Sequence, residues 1–439
     1  MKTFSFPNGF RMIYEKPNSE IPLSSILVFV KLGSVYETDG IRGASHFIEH
    51  MCFKGTKRRP NSNSIIKNYD RVGAYFNAYT EKEYTCYEIK CGEEDLANSI
   101  RVLSDMLMNS TLDKTEFKKE HNVVIEENIK SQDDSEECIK ESSDFLIYEG
   151  SSHEYPIDTL SYHKKTGVLK YEDVLECYHR YYNPNNMVLS VVSHIPFSRI
   201  KTLLKNTYFM KHSINYQYLN SPILYLKPQS QIKYDVKRRA DISALQLHIS
   251  FRTCSNMIED RFPLNLLRSI VGDTFSSRLF VTLRENNGLT YSCNSSSNYY
   301  VHSGDFSILA TLNPKKILEN GTKKGVLPLI IDILNDLCKN GVTQEEVSLF
   351  KGYIKGQHHI DMEDSYNKSH YNGKNLMLLG EDFASFDKLF QKHYQSITKK
   401  EVYSVIKKYF KKENMSVCLL GAGIPSLETI KRVTERFLE

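Results

Sequence analysis

The sequence predicts an α+β protein made of two structurally similar α/β-layered domains, each an antiparallel-rich mixed sheet packed with helices. Three observations lead there. Strands rich in Ile, Val and Tyr alternate with amphipathic helices, and hairpins follow helix pairs, a pattern of α+β layers rather than of a doubly wound parallel sheet. The same order of elements recurs after about residue 230. A chain of 439 residues is long for one core and suits two domains of about 200 residues each.

The elements follow in order. Met1 to Phe10 goes directly into an alternating strand and an Asn8-Gly9 turn. Ile26 to Leu32 reads as a strand, 43–55 as a helix, and Tyr75 to Lys90 as a hairpin. Asp113 to Lys130 reads as a helix opened by Asp113, with Glu116 three residues on in the manner of a capping box. In the second half Ala244 to Phe251 is a strand, Pro263 to Val271 a helix, another helix follows Ser276, and strands run from Tyr291 to Thr311. Ser221-Pro222 and Lys227-Pro228 punctuate the stretch from Ser213 to Lys233. The expected division is therefore 1–215, a linker at 216–233, and 234–439.

Composition narrows the class. Hydrophobic content of 40% with 25% charged residues is that of a soluble globular protein, and no run approaches eighteen apolar residues, which excludes a membrane-spanning helix. A net charge of +4 is too small to argue for nucleic acid. Nine cysteines are scattered singly from Cys52 to Cys418, without a Cys-x-x-Cys pair. That spacing fits reduced thiols better than a disulfide framework. With no signal or transit peptide read at the amino terminus, the expected location is cytoplasmic.

His46-Phe47-Ile48-Glu49-His50 lies in the first helix. Residues three and four apart share a helix face, so both imidazoles can grip one cation while Glu49 stands beside it. The order inverts the commoner His-Glu-x-x-His arrangement of zinc peptidases and keeps its chemistry. Two neutral imidazoles and a carboxylate hold zinc with a fourth position open for water. Zinc lowers the water's pKa, and a neighbouring carboxylate takes the proton and hands it to the departing amine. His46 and His50 are thus expected ligands and Glu49 the base. With fourteen histidines in the chain, this spacing also arises by chance on a solvated helix, so a third ligand is needed.

At about 100° per residue, the helix opened by Asp113 puts Phe117, Glu120, Val123, Val124 and Glu127 on one stripe and Glu126 off it. Burying an unpaired carboxylate is expensive, and a cation facing the stripe explains two of them. Glu127 is the expected third ligand and Glu120 an auxiliary acidic residue. The alternative is that both pair with Lys or Arg from a neighbouring element. His358-His359, followed by Asp361 and Glu363, does not make a second site, because adjacent helical residues diverge by about 100°.

Gly43 to Thr56 resembles the active-site segment of the pitrilysin/insulinase family of zinc metallopeptidases, closest to the mitochondrial processing peptidase beta-type and its half-length bacterial relatives. Gly73-Ala74-Tyr75-Phe76-Asn77-Ala78-Tyr79-Thr80 resembles the strand that in this family offers its edge to extended substrate, so Asn77 and Ala78 are implied as substrate-binding. Asn122 to Glu127 resembles the helix carrying the last zinc ligand, with Glu127 at the ligand position and Glu120 at that of the auxiliary acidic residue. Gly272 to Phe280 and Leu283 to Tyr291 match the second half. There the resemblance alone implies that Arg284 and Tyr291 bind substrate backbone and stabilise the oxyanion. Two departures are visible, a turn at Gly272-Asp273-Thr274 less rich in glycine than in many relatives, and Asn128 directly after the ligand.

The resemblance implies a zinc-dependent endopeptidase with one Zn2+ per chain, cutting short or unfolded polypeptides inside a closed chamber. It implies half of a clamshell, completed by a second copy or a related subunit, with Arg284 and Tyr291 serving the partner's site. The alternative is a non-catalytic subunit or peptide-binding scaffold of the same fold.

Overall fold

The first sheet opens with a hairpin, Lys2–Ser5 (β1) and Arg11–Glu15 (β2), paired antiparallel across the Asn8-Gly9 turn, where Gly9 adopts a φ of 81°. Leu23–Val30 (β3), Tyr75–Thr80 (β4), Thr85–Gly92 (β5) and Met187–Val192 (β6) complete it in the order β1-β2-β6-β3-β5-β4. The pair β2 and β6 is parallel and the rest are antiparallel. Strands β3 and β6 are covered on both faces, hence their near-continuous apolar runs. On one face Ile26, Val28 and Leu189 join a core with helices Ala44–Cys52 (α1), Ser62–Asp70 (α2), Leu96–Asn109 (α3) and Lys114–Asp133 (α4). On the other, Leu27, Phe29 and Val188 meet Leu376 and Met377 of the helix Ser365–Leu379. These coordinates are a computed structural model, which describes residues 1–157, 169–211, 222–320, 323–381 and 383–439.

The second sheet comprises Lys233–Arg238 (β7), Leu245–Arg252 (β8), Thr290–Tyr299 (β9), Gly304–Leu312 (β10) and Met415–Gly421 (β13), with a small hairpin of Glu319–Asn320 (β11) and Lys323–Lys324 (β12) apart from it. Its order is β7-β13-β8-β10-β9, again with one parallel pair, β7 and β13. Strand for strand this is the first sheet without β1, so the recurrence in the sequence is a repeat of topology. The helix after β8, Arg261–Gly272, stands where α1 follows β3.

The two compact units are not consecutive stretches of chain. One comprises 1–130, 155–223 and 358–383, the other 131–154, 224–357 and 384–439. Two helices therefore depart from the expected division at 216–233. Ser135–Ile147 (α5) precedes it yet packs on β8 and β13, and Ser365–Leu379 follows it yet packs on β3 and β6. Both interfaces use small polar side chains that satisfy one another. Ser25 Oγ lies 2.8 Å from Ser365 Oγ, Ser369 donates to Ser190 at 3.0 Å, and Ser143 and Ser250 are 2.7 Å apart. Such faces leave no wide apolar stripe to read. Within the predicted linker, 216–221 lie outside the described residues and 222–232 carry no helix or strand.

Smaller differences have local causes. The motif helix stops at Cys52 rather than 55, and the chain turns through Gly55 at a φ of 151°. Asp113 caps α4 by accepting from the N–H groups of Thr115 and Glu116, while the Glu116 side chain pairs with Lys119 at 2.6 Å instead of closing a capping box. All nine cysteines are free. Among the described residues no helix is long and apolar enough to cross a membrane.

Two tests follow from these packings. A Cβ at Gly373 would lie 2.2 Å from Cε2 of the buried Phe29 ring, so Gly373→Val is expected to lower stability by roughly 1–3 kcal/mol, read as a lower urea midpoint. His248 on β8 is buried, its Nδ1 has no hydrogen-bond partner among the described residues, and burial, with Lys140 nearby, lowers its pKa to about 4. The unfolded chain takes up this proton near pH 6.5 and the folded chain only near 4. Its contribution is thus present above pH 6.5 and lost as pH falls toward 4. His248→Leu should flatten the fall in urea midpoint across that window relative to wild type.

Candidate metal centre

The start of α1 is set by a carboxylate from outside the helix. Gly43, at the N-cap, has a φ of 85°, a conformation that favours glycine. Glu37 Oε2 accepts from Gly43 N–H at 2.7 Å and its Oε1 from Ser45 N–H at 2.8 Å and from the Ser45 hydroxyl. Negative charge is favoured at this end of a helix. Burial nevertheless pushes the Glu37 carboxyl up to about 7 against these donors and Arg42. Phe47, Ile48 and Met51 sink into the core, which turns His46 and His50 to the flank facing α4.

On α4, Phe117, Glu120, Val124 and Asn128 are buried. The buried stripe is thus narrower than its helical periodicity implies, since Val123 is 43% exposed. Glu127 lies at the lip of the stripe with its side chain 46% exposed, beside the imidazoles. His46 Nε2 and His50 Nε2 are 3.1 Å apart, and Glu127 Oε2 is 3.8 Å from the first and 3.3 Å from the second. Nitrogen and oxygen ligands at zinc distances on a tetrahedron stand about 3.3 Å from one another, so the spacing fits such an ion. A carboxylate only accepts, so Glu120 Oε1 at 2.8 Å from His50 Nδ1 keeps the proton there and leaves Nε2 as a lone pair. Among the described residues no other three His, Cys, Asp or Glu side chains converge in this way, which leaves His358 and His359 without a site.

Three carboxylates surround the imidazoles. Burial, with His50 adjacent, lowers the His46 pKa to about 4, so that ring is neutral at pH 7. For His50 burial acts downward, but the Glu120 bond and the charges of Glu127, Glu49 and Glu120 outweigh it and raise the pKa. Burial pushes Glu49 up to about 7, opposed by Thr80 and His50 and reinforced by Glu127. Glu120 ends below its ordinary value, since bonds from His50 and Lys54 exceed the effect of burial. The carboxylates that favour positive charge on His50 would favour a divalent cation at the same place.

Asn77 and Ala78 lie on β4, the edge strand of the first sheet. Asn77 is exposed, while Ala78 packs against the core. The same strand supplies Thr80, whose hydroxyl donates to Glu49 Oε2 at 2.7 Å. Arg284 and Tyr291 belong to the second unit. There Arg284 Nη1 donates to the Tyr291 carbonyl at 3.0 Å, the guanidinium lies 5.4 Å from the Phe280 ring centre, and Tyr291 is 83% exposed. The sequence reading missed Glu37, Thr80 and Lys54, whose ammonium is 2.5 Å from Glu120 Oε2. Thr80 and Lys54 meet partners remote in sequence, Glu37 caps α1 from the turn before it, and no periodicity signals any of them.

Comparison with known proteins places the chain. Residues 12–146 match the family described as Insulinase (Peptidase family M16), and 169–351 match Peptidase M16 inactive domain. The protein named "Uncharacterized zinc protease YmxG" of Bacillus subtilis is 31% identical over 380 residues, covering 87% of this chain and 89% of that relative. The chain belongs to peptidase family M16, the insulinase family. A relative from Streptomyces coelicolor, also named a zinc protease, is 24% identical over 88% of this chain and 82% of its own. A protease from Helicobacter pylori has the same fold, with a TM-score of 0.85 at 20% identity over 96% of this chain and 99% of that one. The periplasmic protease PqqL of Escherichia coli matches at a TM-score of 0.79 and 16% identity, with this chain covering 50% of it. Within the M16 chain, the insulinase match spans His46, Glu49, His50, Glu120 and Glu127, and the inactive-domain match spans Arg284 and Tyr291.

Removing the external cap should loosen the M16 motif helix. Glu37→Ala strands two backbone N–H groups and a hydroxyl, and is expected to lower stability by about 1–3 kcal/mol, seen as a reduced urea midpoint of the metal-free protein.

Proposed function

We propose that this M16 protein is a zinc-dependent endopeptidase that hydrolyses short or unfolded polypeptides. The observation that carries this reading is the convergence of His46 Nε2, His50 Nε2 and a Glu127 carboxylate oxygen within 4.8 Å of one another, with Glu49 on the same helix as the two histidines. His46, His50 and Glu127 would hold one Zn2+. Bound there, zinc supplies Lewis acidity, which lowers the pKa of water and polarises a carbonyl.

The remaining work falls to side chains. Thr80 occupies Oε2 of Glu49, so Oε1 is the oxygen that receives a proton from the attacking water and returns it to the departing amine. Glu120 orients His50 by taking its Nδ1 proton. An extended peptide adds to the edge of β4 near Asn77 and Ala78 by main-chain hydrogen bonds. Arg284 and Tyr291 bind substrate backbone and the developing oxyanion in the site of a partner subunit, homologous or identical. The half-length match to the Escherichia coli protease supports such a pairing of two halves. An active monomer, established by sedimentation with concurrent peptidase assay, refutes the pairing.

Peptide-library cleavage read by mass spectrometry tests the activity. A chelator should abolish it and zinc restore it. Glu49→Gln should retain stoichiometric zinc and lose cleavage by about 10²-fold or more, whereas Glu127→Gln should lose metal and Glu126→Gln should not. Equal cleavage by Glu49→Gln and wild type, or a protein that takes up no zinc, sinks the reading.

A further inference from the structure

We propose that Lys54 is a positioning residue for the metal centre, holding the outer oxygen of Glu120 so that the inner one fixes His50 and neither turns toward the ion. The two oxygens of Glu120 are divided between two partners, Oε1 at 2.8 Å from His50 Nδ1 and Oε2 at 2.5 Å from Lys54 Nζ. The Glu120 side chain is 5% exposed. A buried carboxylate that loses a cationic partner is left with an unmet oxygen. The nearest compensation would then be the metal itself. Glu120 would compete as a ligand and release His50.

The backbone around Lys54 is built to hold this reach. Its N–H donates to the Met51 carbonyl at 3.1 Å, which ties it to the last turn of α1. Beyond it the chain is anchored on Asp105, which is 1% exposed and accepts from the Thr56 hydroxyl at 2.7 Å and from Arg59 Nη1 at 2.6 Å. Between them Gly55 has a φ of 151°, and a Cβ there would lie 2.8 Å from the Pro60 carbonyl oxygen. Lys54 is thus pinned on both sides, with its side chain across α4.

The test uses the full chain with Zn2+ alone as probe, in competition with a chromophoric chelator, and with Co2+ for its visible spectrum. Lys54→Met should bind Zn2+ about 10–100-fold more weakly and alter the Co2+ spectrum, and Lys54→Arg should recover most of both. In a Glu120→Gln background Lys54→Met should add little. Wild-type affinity and spectrum in Lys54→Met overturn the proposal, as does a loss that persists undiminished in the Glu120→Gln background. Lys54→Gln serves equally if the Met variant does not fold, and wild-type binding by it is decisive against. The inference rests on the zinc reading, and the outcomes separate them. A wild type that takes up no Zn2+ overturns that reading, whereas equal binding by wild type and Lys54 variants overturns the inference alone.

Discussion

The hydrogen bond between His50 Nδ1 and Glu120 Oε1 joins residues 70 positions apart and fixes how α1 meets α4. The rest of the candidate centre depends on it. It decides which imidazole nitrogen faces Glu127, and it brings a buried negative charge against the motif helix, where Lys54 and His50 answer it. Around this bond the core supplies rigidity, with the Phe47 and Phe117 rings 4.7 Å apart in the same helix pair. A ligand set assembled from two helices is only as well placed as that packing.

The repeated topology gives the centre its context. Both sheets share one connectivity, yet among the described residues the candidate ligand set stands in the first copy alone. The helix after β3 holds His46, Glu49 and His50, while its counterpart after β8, Arg261–Gly272, contains no histidine or glutamate and is buried through Phe262, Leu264, Leu266, Leu267 and Ile270. The fold does not need the charged cluster, because the second unit makes the same sheet with an apolar helix. In the first unit the cluster is an added burden of buried charge, which is the usual mark of a site kept for chemistry rather than for stability.

Much of this was legible from the sequence, for reasons particular to the elements concerned. The strand Ile26 to Leu32, the hairpin Tyr75 to Lys90 and the strand Ala244 to Phe251 announce themselves by apolar runs and β-branched residues, and they appear as β3, β4 with β5, and β8. His46, His50, Glu120 and Glu127 followed from helical spacing, and the structure brings all four together. The exchange of α5 and Ser365–Leu379 between units was hidden because serine and glycine share the sheet-facing surfaces with only a few apolar residues such as Ile139, Leu376 and Met377. The exposure of Val123 was missed because periodicity gives the direction of a side chain but not the width of the surface that covers it. Lys54 and Thr80 act across the fold and Glu37 across the turn before α1, and helical or strand periodicity carries no trace of such partners.

Strand β4 links the two tasks of the proposed reading. Thr80, at its end, holds Glu49, and Asn77 and Ala78 stand three and two residues before it on the outermost strand of the sheet. In that reading a peptide that joins this edge would be bound by its main chain, its backbone indexed to the same strand that holds Glu49. Successive side chains on such a strand point to opposite faces, so neither backbone pairing nor the distance to Glu49 depends on which side chains the peptide carries. Selection at this edge acts first on whether a segment can be extended, since a folded chain has already spent its main-chain donors and acceptors. Under the proposed reading, an edge such as β4 would therefore favour short or unfolded polypeptides, independently of any pocket that reads their sequence.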